Sequence, residues 1–123
     1  MALKLTSSQL ATLSVLQPFA SRFDQIRRMI EEMASMRTDE SQTRRLARML
    51  DEMKVAAQSV GESGVADTLG VMASLARRSG GLQTRVRGLR EGFMSLKTNY
   101  EGAIRTASTP IPEAEEDAEL PLG

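Results

Sequence analysis

The chain has 123 residues, enough for one domain with a modest core, and its 16 basic and 16 acidic side chains leave no formal net charge. It contains no cysteine and no histidine, which excludes disulfides, thiolate metal sites and the commonest general base and metal ligand. Aromatics make up only 3%, and the apolar set is mostly Leu, Met, Val, Ile and Ala, which suits packed helices better than strands. No stretch approaches the roughly 18–20 apolar residues that span a bilayer. The first 20 residues make a poor secretion signal, because Ser, Thr, Gln and then Pro18 interrupt a mildly apolar run. A cytoplasmic location is the expectation.

In chain order, Ser7 and Ser8 offer caps for a short helix through Leu16, which Pro18 ends or restarts. Phe19, Phe23, Ile26, Ile30 and Met33 recur at spacings of 4, 3, 4 and 3, one apolar stripe of a helix over 19–36. Thr38 to Ser41 forms a connector rich in capping residues. A second long helix over 41–60 turns Leu46, Met49, Leu50, Met53, Ala56, Ala57 and Val60 inward, and Arg44, Arg48, Asp51, Lys54, Val55 and Gln58 outward. Gly61 and Gly64 bracket its end, and Ser63 is the cap expected for a helix over 65–78 that buries Val65, Leu69, Met72 and Leu75. Ser79-Gly80-Gly81 is a stop with a left-handed cap available.

The last helix, over 82–107, carries Leu82, Val86, Leu89, Phe93, Leu96, Tyr100 and Ala103 in a seven-residue repeat. Gly88, Gly92 and Gly102 interrupt it at a cost of about 1 kcal/mol each relative to Ala, which close packing would explain. The eight methionines, among them Met29, Met33, Met49, Met53, Met72 and Met94, read as core filling rather than as an adaptable groove. From Ser108 the composition changes to Pro and acid. Glu113, Glu115, Glu116, Asp117 and Glu119 stand there with no base, which leaves the remainder of the chain with 16 basic residues against 11 acidic.

The fold class expected is all-α: an antiparallel up-down four-helix bundle with a short extra N-terminal helix and a disordered acidic tail. The divisions are 1–18 for the N-terminal segment, 19–108 for the bundle and 109–123 for the tail, which ends in the apolar run Leu120-Pro121-Leu122-Gly123.

The stretch Asp51-Glu-Met-Lys-Val-Ala-Ala-Gln-Ser-Val-Gly61 resembles the signature helix of histidine phosphotransfer (HPt) domains, roughly His-x-Leu-Lys-Gly-x-Ala-x-x-x-Gly. Met53, Lys54, Ala57 and Gly61 occupy the matching positions, whereas Asp51 stands at the phosphoacceptor histidine and Val55 at the glycine. The helix after the turn, Val65 to Leu75, and the one over 82–107 are similar to the family's third and fourth helices, so the resemblance covers about 19–107. It implies a phosphotransfer bundle without its phosphoacceptor. Helical geometry sends Asp51 to solvent with Lys54 one turn on, where Arg48 and Lys54 would flank it as ordinary surface charges.

The function implied is a non-catalytic HPt-like adaptor or modulator that binds a receiver or histidine kinase domain in two-component or chemotaxis-like signalling. Arg48, Asp51, Lys54, Val55 and Gln58 are the expected partner-binding residues. No catalytic residue, cofactor or metal is implied. The alternative is a helical assembly protein that self-associates, or binds a partner helix, through its heptad stripe. Arg44, Arg45, Arg48, Arg77, Arg78, Arg85, Arg87 and Arg90 invite a nucleic-acid reading, but the polar aromatic that could stack a base, Tyr100, falls on the core stripe.

Overall fold

A computed structural model describes residues 4–37, 39–78 and 81–111. It is all-α, with five helices: α1 (Ser7–Leu16), α2 (Phe19–Ala34), α3 (Glu40–Ser59), α4 (Ser63–Arg77) and α5 (Leu82–Ser108). Four of them, α2 to α5, form a ring in which each packs on its chain neighbour and α5 closes back on α2, while the backbones of the diagonal pairs α2/α4 and α3/α5 stay apart. Cross-helix partners run in opposite directions along the chain. Glu31 meets Arg90 while Phe19 meets Tyr100, and Arg85 meets the end of α4 while Asn99 meets Thr68 near its start. This is an antiparallel up-down bundle.

The apolar stripes become the core. Phe23, Ile26, Ile30 and Met33 of α2 join Leu46, Leu50 and Met53 of α3, Leu69 and Met72 of α4, and Val86, Leu89 and Leu96 of α5. Phe23 sits edge-on to both Phe93 and Tyr100, with ring centroids 5.9 and 4.8 Å away, and Phe19 stacks on Tyr100 at 6.4 Å, so all four aromatics form one cluster at the α2/α5 seam. Leu82, Phe93 and Tyr100 are half-buried and the rest of the heptad stripe is buried. It is therefore spent on α2 and α4, and a partner helix could take it only by opening the bundle. Met94 departs from the expected core filling: it lies on the outer side of α5, 71% exposed.

Two glycines of α5 have a visible purpose. A Cβ on Gly88 would come within 2.8 Å of Leu75 Cδ1, and one on Gly92 within 2.7 Å of Met72 Cγ, so both let α4 approach closely. Gly102 has nothing within 4 Å of such a Cβ, and packing does not account for it.

The helix ends follow local chemistry. α1 is capped by Thr6 rather than by Ser7 or Ser8. Thr6 Oγ1 accepts from the Gln9 amide at 3.0 Å and Gln9 Oε1 accepts from the Thr6 amide at 2.8 Å, a reciprocal capping box. The same Gln9 donates its Nε2 to the carbonyls of Thr106 and Thr109 at the C-terminal end of α5. Leu16 is fully buried in the shared core, so the first helix is integral to the bundle. Lys4 also bridges Ile111. The acidic run and the Leu-Pro-Leu-Gly ending lie outside the described residues.

Asp39 caps α3 through the Gln42 amide, with Gln42 answering to the Asp39 amide. Gly61, at φ +75°, ends α3: its amide bonds the Gln58 carbonyl and that of Glu62 the Ala57 carbonyl, a Schellman turn that requires a left-handed residue at this position. Ser63, the expected cap of α4, is instead its first residue, behind Glu62, which makes no side-chain capping bond. The left-handed glycine Gly81 precedes α5 as its N-cap.

Candidate functional site

Residues 48, 51, 55 and 58 recur at spacings of 3, 4 and 3, so α3 presents them as one outer stripe beside α4. Arg48, Val55 and Gln58 are exposed, Val55 at 62%. Asp51 is half-exposed in the middle of the helix and does not face inward. Its partner is neither Arg48 nor Lys54. Arg77, the last residue of α4, donates an NH2 to Asp51 Oδ2 and ties the two helices together.

Lys54, one turn beyond Asp51, turns toward α4. Its Cδ, Cε and Nζ pass 3.5–3.7 Å from where a Cβ on Gly70 would stand. The missing side chain at 70 makes a trough for the lysine stem, which is half-buried there. The expected residues thus share one surface on the α3/α4 seam, and the two that carry charge at its centre, Asp51 and Lys54, are each placed by a residue of α4.

Above this seam the bundle opens into a cleft of about 910 Å³. Arg44 and Arg48 of α3, Arg77 and Arg78 at the end of α4, and Arg85 in the first turn of α5 line it. Its floor is apolar: Met33, Ala47, Ala76 and Leu82. Two of the arginines have structural duties, Arg77 on Asp51, and Arg85 on the carbonyls of Leu75 and Ala76 that α4 leaves open, at 3.1 and 2.6 Å. Among the described residues, the guanidinium groups of Arg44, Arg48 and Arg78 have no ion pair or hydrogen bond, and the acids that share the lining are Asp39 and Glu40. Asp39 is occupied as a helix cap, and hydrogen bonds from the Ser41 hydroxyl and the Gln42 amide hold its carboxyl below the usual value.

Sequence reasoning named every one of these arginines but not their meeting. Antiparallel order brings the first half of α3, the end of α4 and the start of α5 to the same end, which separates residues by more than 40 positions in sequence and joins them in space. Arg45 lies instead in the α2/α3 groove near Arg22 and Glu52, and Arg90 is held by both oxygens of Glu31 at 2.9 and 2.7 Å. The eight arginines thus form no single strip.

Among the described residues no three acidic side chains converge as a metal ion would require. None of their helices is long and apolar enough to cross a membrane. Compared with protein-family models, with curated proteins and with solved structures, the chain matches none.

Proposed function

We propose that the chain is a non-catalytic, HPt-like adaptor or modulator that docks a receiver or histidine kinase domain in two-component or chemotaxis-like signalling, within the cytoplasm. The observation that carries this reading is the α3/α4 seam. A helix similar to the phosphotransfer signature presents residue 51 half-exposed at mid-length, with Lys54 laid over Gly70 beside it.

The charges suit such a partner. A receiver domain gathers carboxylates around its own phosphorylation site, so a docking surface gains from cations and loses from an exposed acid. Arg48 and Lys54 supply the cations, and Arg77 neutralises Asp51 at mid-helix. Val55 adds an apolar contact where the family's glycine would leave a gap. A chain that docks without an imidazole occupies the receiver and passes nothing to it.

The test is a titration of receiver domains encoded alongside this protein with the wild-type chain and with Lys54→Glu. Docking on this face predicts saturable binding that the reversal weakens by about tenfold or more. Equal affinity for the two forms would remove the seam from the mechanism.

A further inference from the structure

The arginine-lined cleft has a complement within the same sequence. Five acids in seven residues, Glu113 to Glu119, are followed by Leu120-Pro121-Leu122. A segment of that composition matches the cleft twice: carboxylates for Arg44, Arg48 and Arg78, and leucines for the apolar floor that Leu82 and the 79%-exposed Met36 extend to the surface.

Covalent geometry keeps most of a copy's acidic run out of its own cleft. Ile111 pairs with Lys4 at the end of the bundle where α5 finishes, whereas the cleft lies where α5 begins. The rise from Arg85 to Ser108 is about 35 Å. Fully extended, the chain from Ile111 carries Glu113 through Asp117 no more than about 7–22 Å, Glu119 about 29 Å and Leu122 about 40 Å, so four of the five acids fall well short. Arg44 and Arg48 lie across the bundle, on the helix diagonal to α5.

We infer that the cleft receives the acidic segment of a second copy of this chain, so that copies associate head to tail. The contact is heterologous, since each copy offers a cleft at one end and an acidic segment at the other, and association therefore continues beyond the dimer. Exposed ion pairs are weak and screened, so assembly grows with protein concentration and fades with salt. The inference does not rest on receiver docking, although Arg48 belongs to both surfaces.

Sedimentation velocity of the full chain at low salt and at about 0.3 M salt tests it. One variant set reverses the cleft, Arg44→Glu with Arg78→Glu. A second reverses the acidic segment, Glu115→Lys, Glu116→Lys and Asp117→Lys. The wild type should show a mass that rises with concentration at low salt only. Each set alone should push association to about tenfold higher concentration or more. An equimolar mixture of the two sets should associate again, because each cleft then meets a segment of opposite charge. A wild type that stays monomeric at low salt, association that survives either reversal, or a mixture that stays monomeric would each overturn the inference. If the cleft set loses helical circular dichroism, the segment set carries the test, since it changes no residue of the five helices.

Discussion

Asp51 at the middle of α3 and Arg77 at the end of α4 form an ion pair across the seam between those helices, with side chains 38% and 50% exposed. At that exposure the pair adds no more than about 1 kcal/mol to stability. Its larger effect is on the surface, where it cancels the negative charge of Asp51, one turn from Lys54. Arg77→Ala is therefore expected to lower stability in urea by less than about 1 kcal/mol, yet to weaken receiver binding several-fold by calorimetry. A variant that loses stability but binds as before would show that the pair serves the fold alone.

The three glycines of α5 should respond differently to alanine. At Gly92 the new methyl meets the fully buried Met72 near the middle of its side chain, and overpacking of about 1–3 kcal/mol outweighs the helix-propensity gain. At Gly88 the clash is with the end of the half-buried Leu75, which can turn aside, so the net change is smaller. Gly102→Ala enters open space and should stabilise by up to about 1 kcal/mol. Chemical denaturation of the three variants checks the order, and Gly92→Ala proving the most stable would contradict the close α4/α5 packing.

Two carboxylates carry a pH-dependent contribution on the acid side. The Arg90 guanidinium hydrogen-bonded to Glu31 holds its carboxyl below the ordinary 4.5, and the bonds from Ser41 and Gln42 hold Asp39 below 3.8. A depressed folded value means the unfolded chain binds the proton more readily. The stabilisation is complete above the ordinary values and is lost as pH falls through the folded ones. Glu31→Gln should accordingly be less stable than wild type at neutral pH and equal to it well below pH 4. Melting temperatures across that range decide the point, and a gap that persists in acid would mean the effect is not electrostatic.

Burial raises the Tyr100 phenol above its ordinary 10.0. The sign is opposite to that of the carboxylates: this contribution is intact below 10.0 and lost as pH rises through the folded value. Tyr100 is the only tyrosine and there is no tryptophan, so absorbance at the phenolate band follows this one group. Its midpoint should lie above 10 in the native chain and return toward 10 in denaturant. A native midpoint at or below 10 would contradict the packing of Tyr100 against Phe19 and Phe23.

Much of the bundle was legible along the chain because spacings of 3 and 4 state which side of a helix is wet. The stripe from Phe19 to Met33 is buried throughout, as is Leu46-Met49-Leu50-Met53. Spacing states nothing about which helix lies next door. Asp51 was therefore placed on its correct side but given the wrong neighbours, since Arg77 reaches it from α4. The lysine trough at Gly70 and the meeting of arginines at one end escaped for the same reason. The Gln9 bonds to Thr106 and Thr109 escaped too, as they join positions about a hundred residues apart.

Asp51→His combined with Val55→Gly restores both departures from the phosphotransfer signature. Residue 51 stands half-exposed with Lys54 beside it, so the double variant should accept phosphoryl from a phosphorylated receiver as an acid-labile, base-stable phosphohistidine. Wild type should not.

The most direct measurement of the docking claim is phosphoryl transfer between a genuine HPt protein and its receiver, followed while this chain is added. Occupation of the receiver by the α3/α4 face predicts a rate that falls as the chain is titrated in, and recovers when Lys54→Glu replaces it. A rate unchanged at a large molar excess of the wild-type chain would contradict the account.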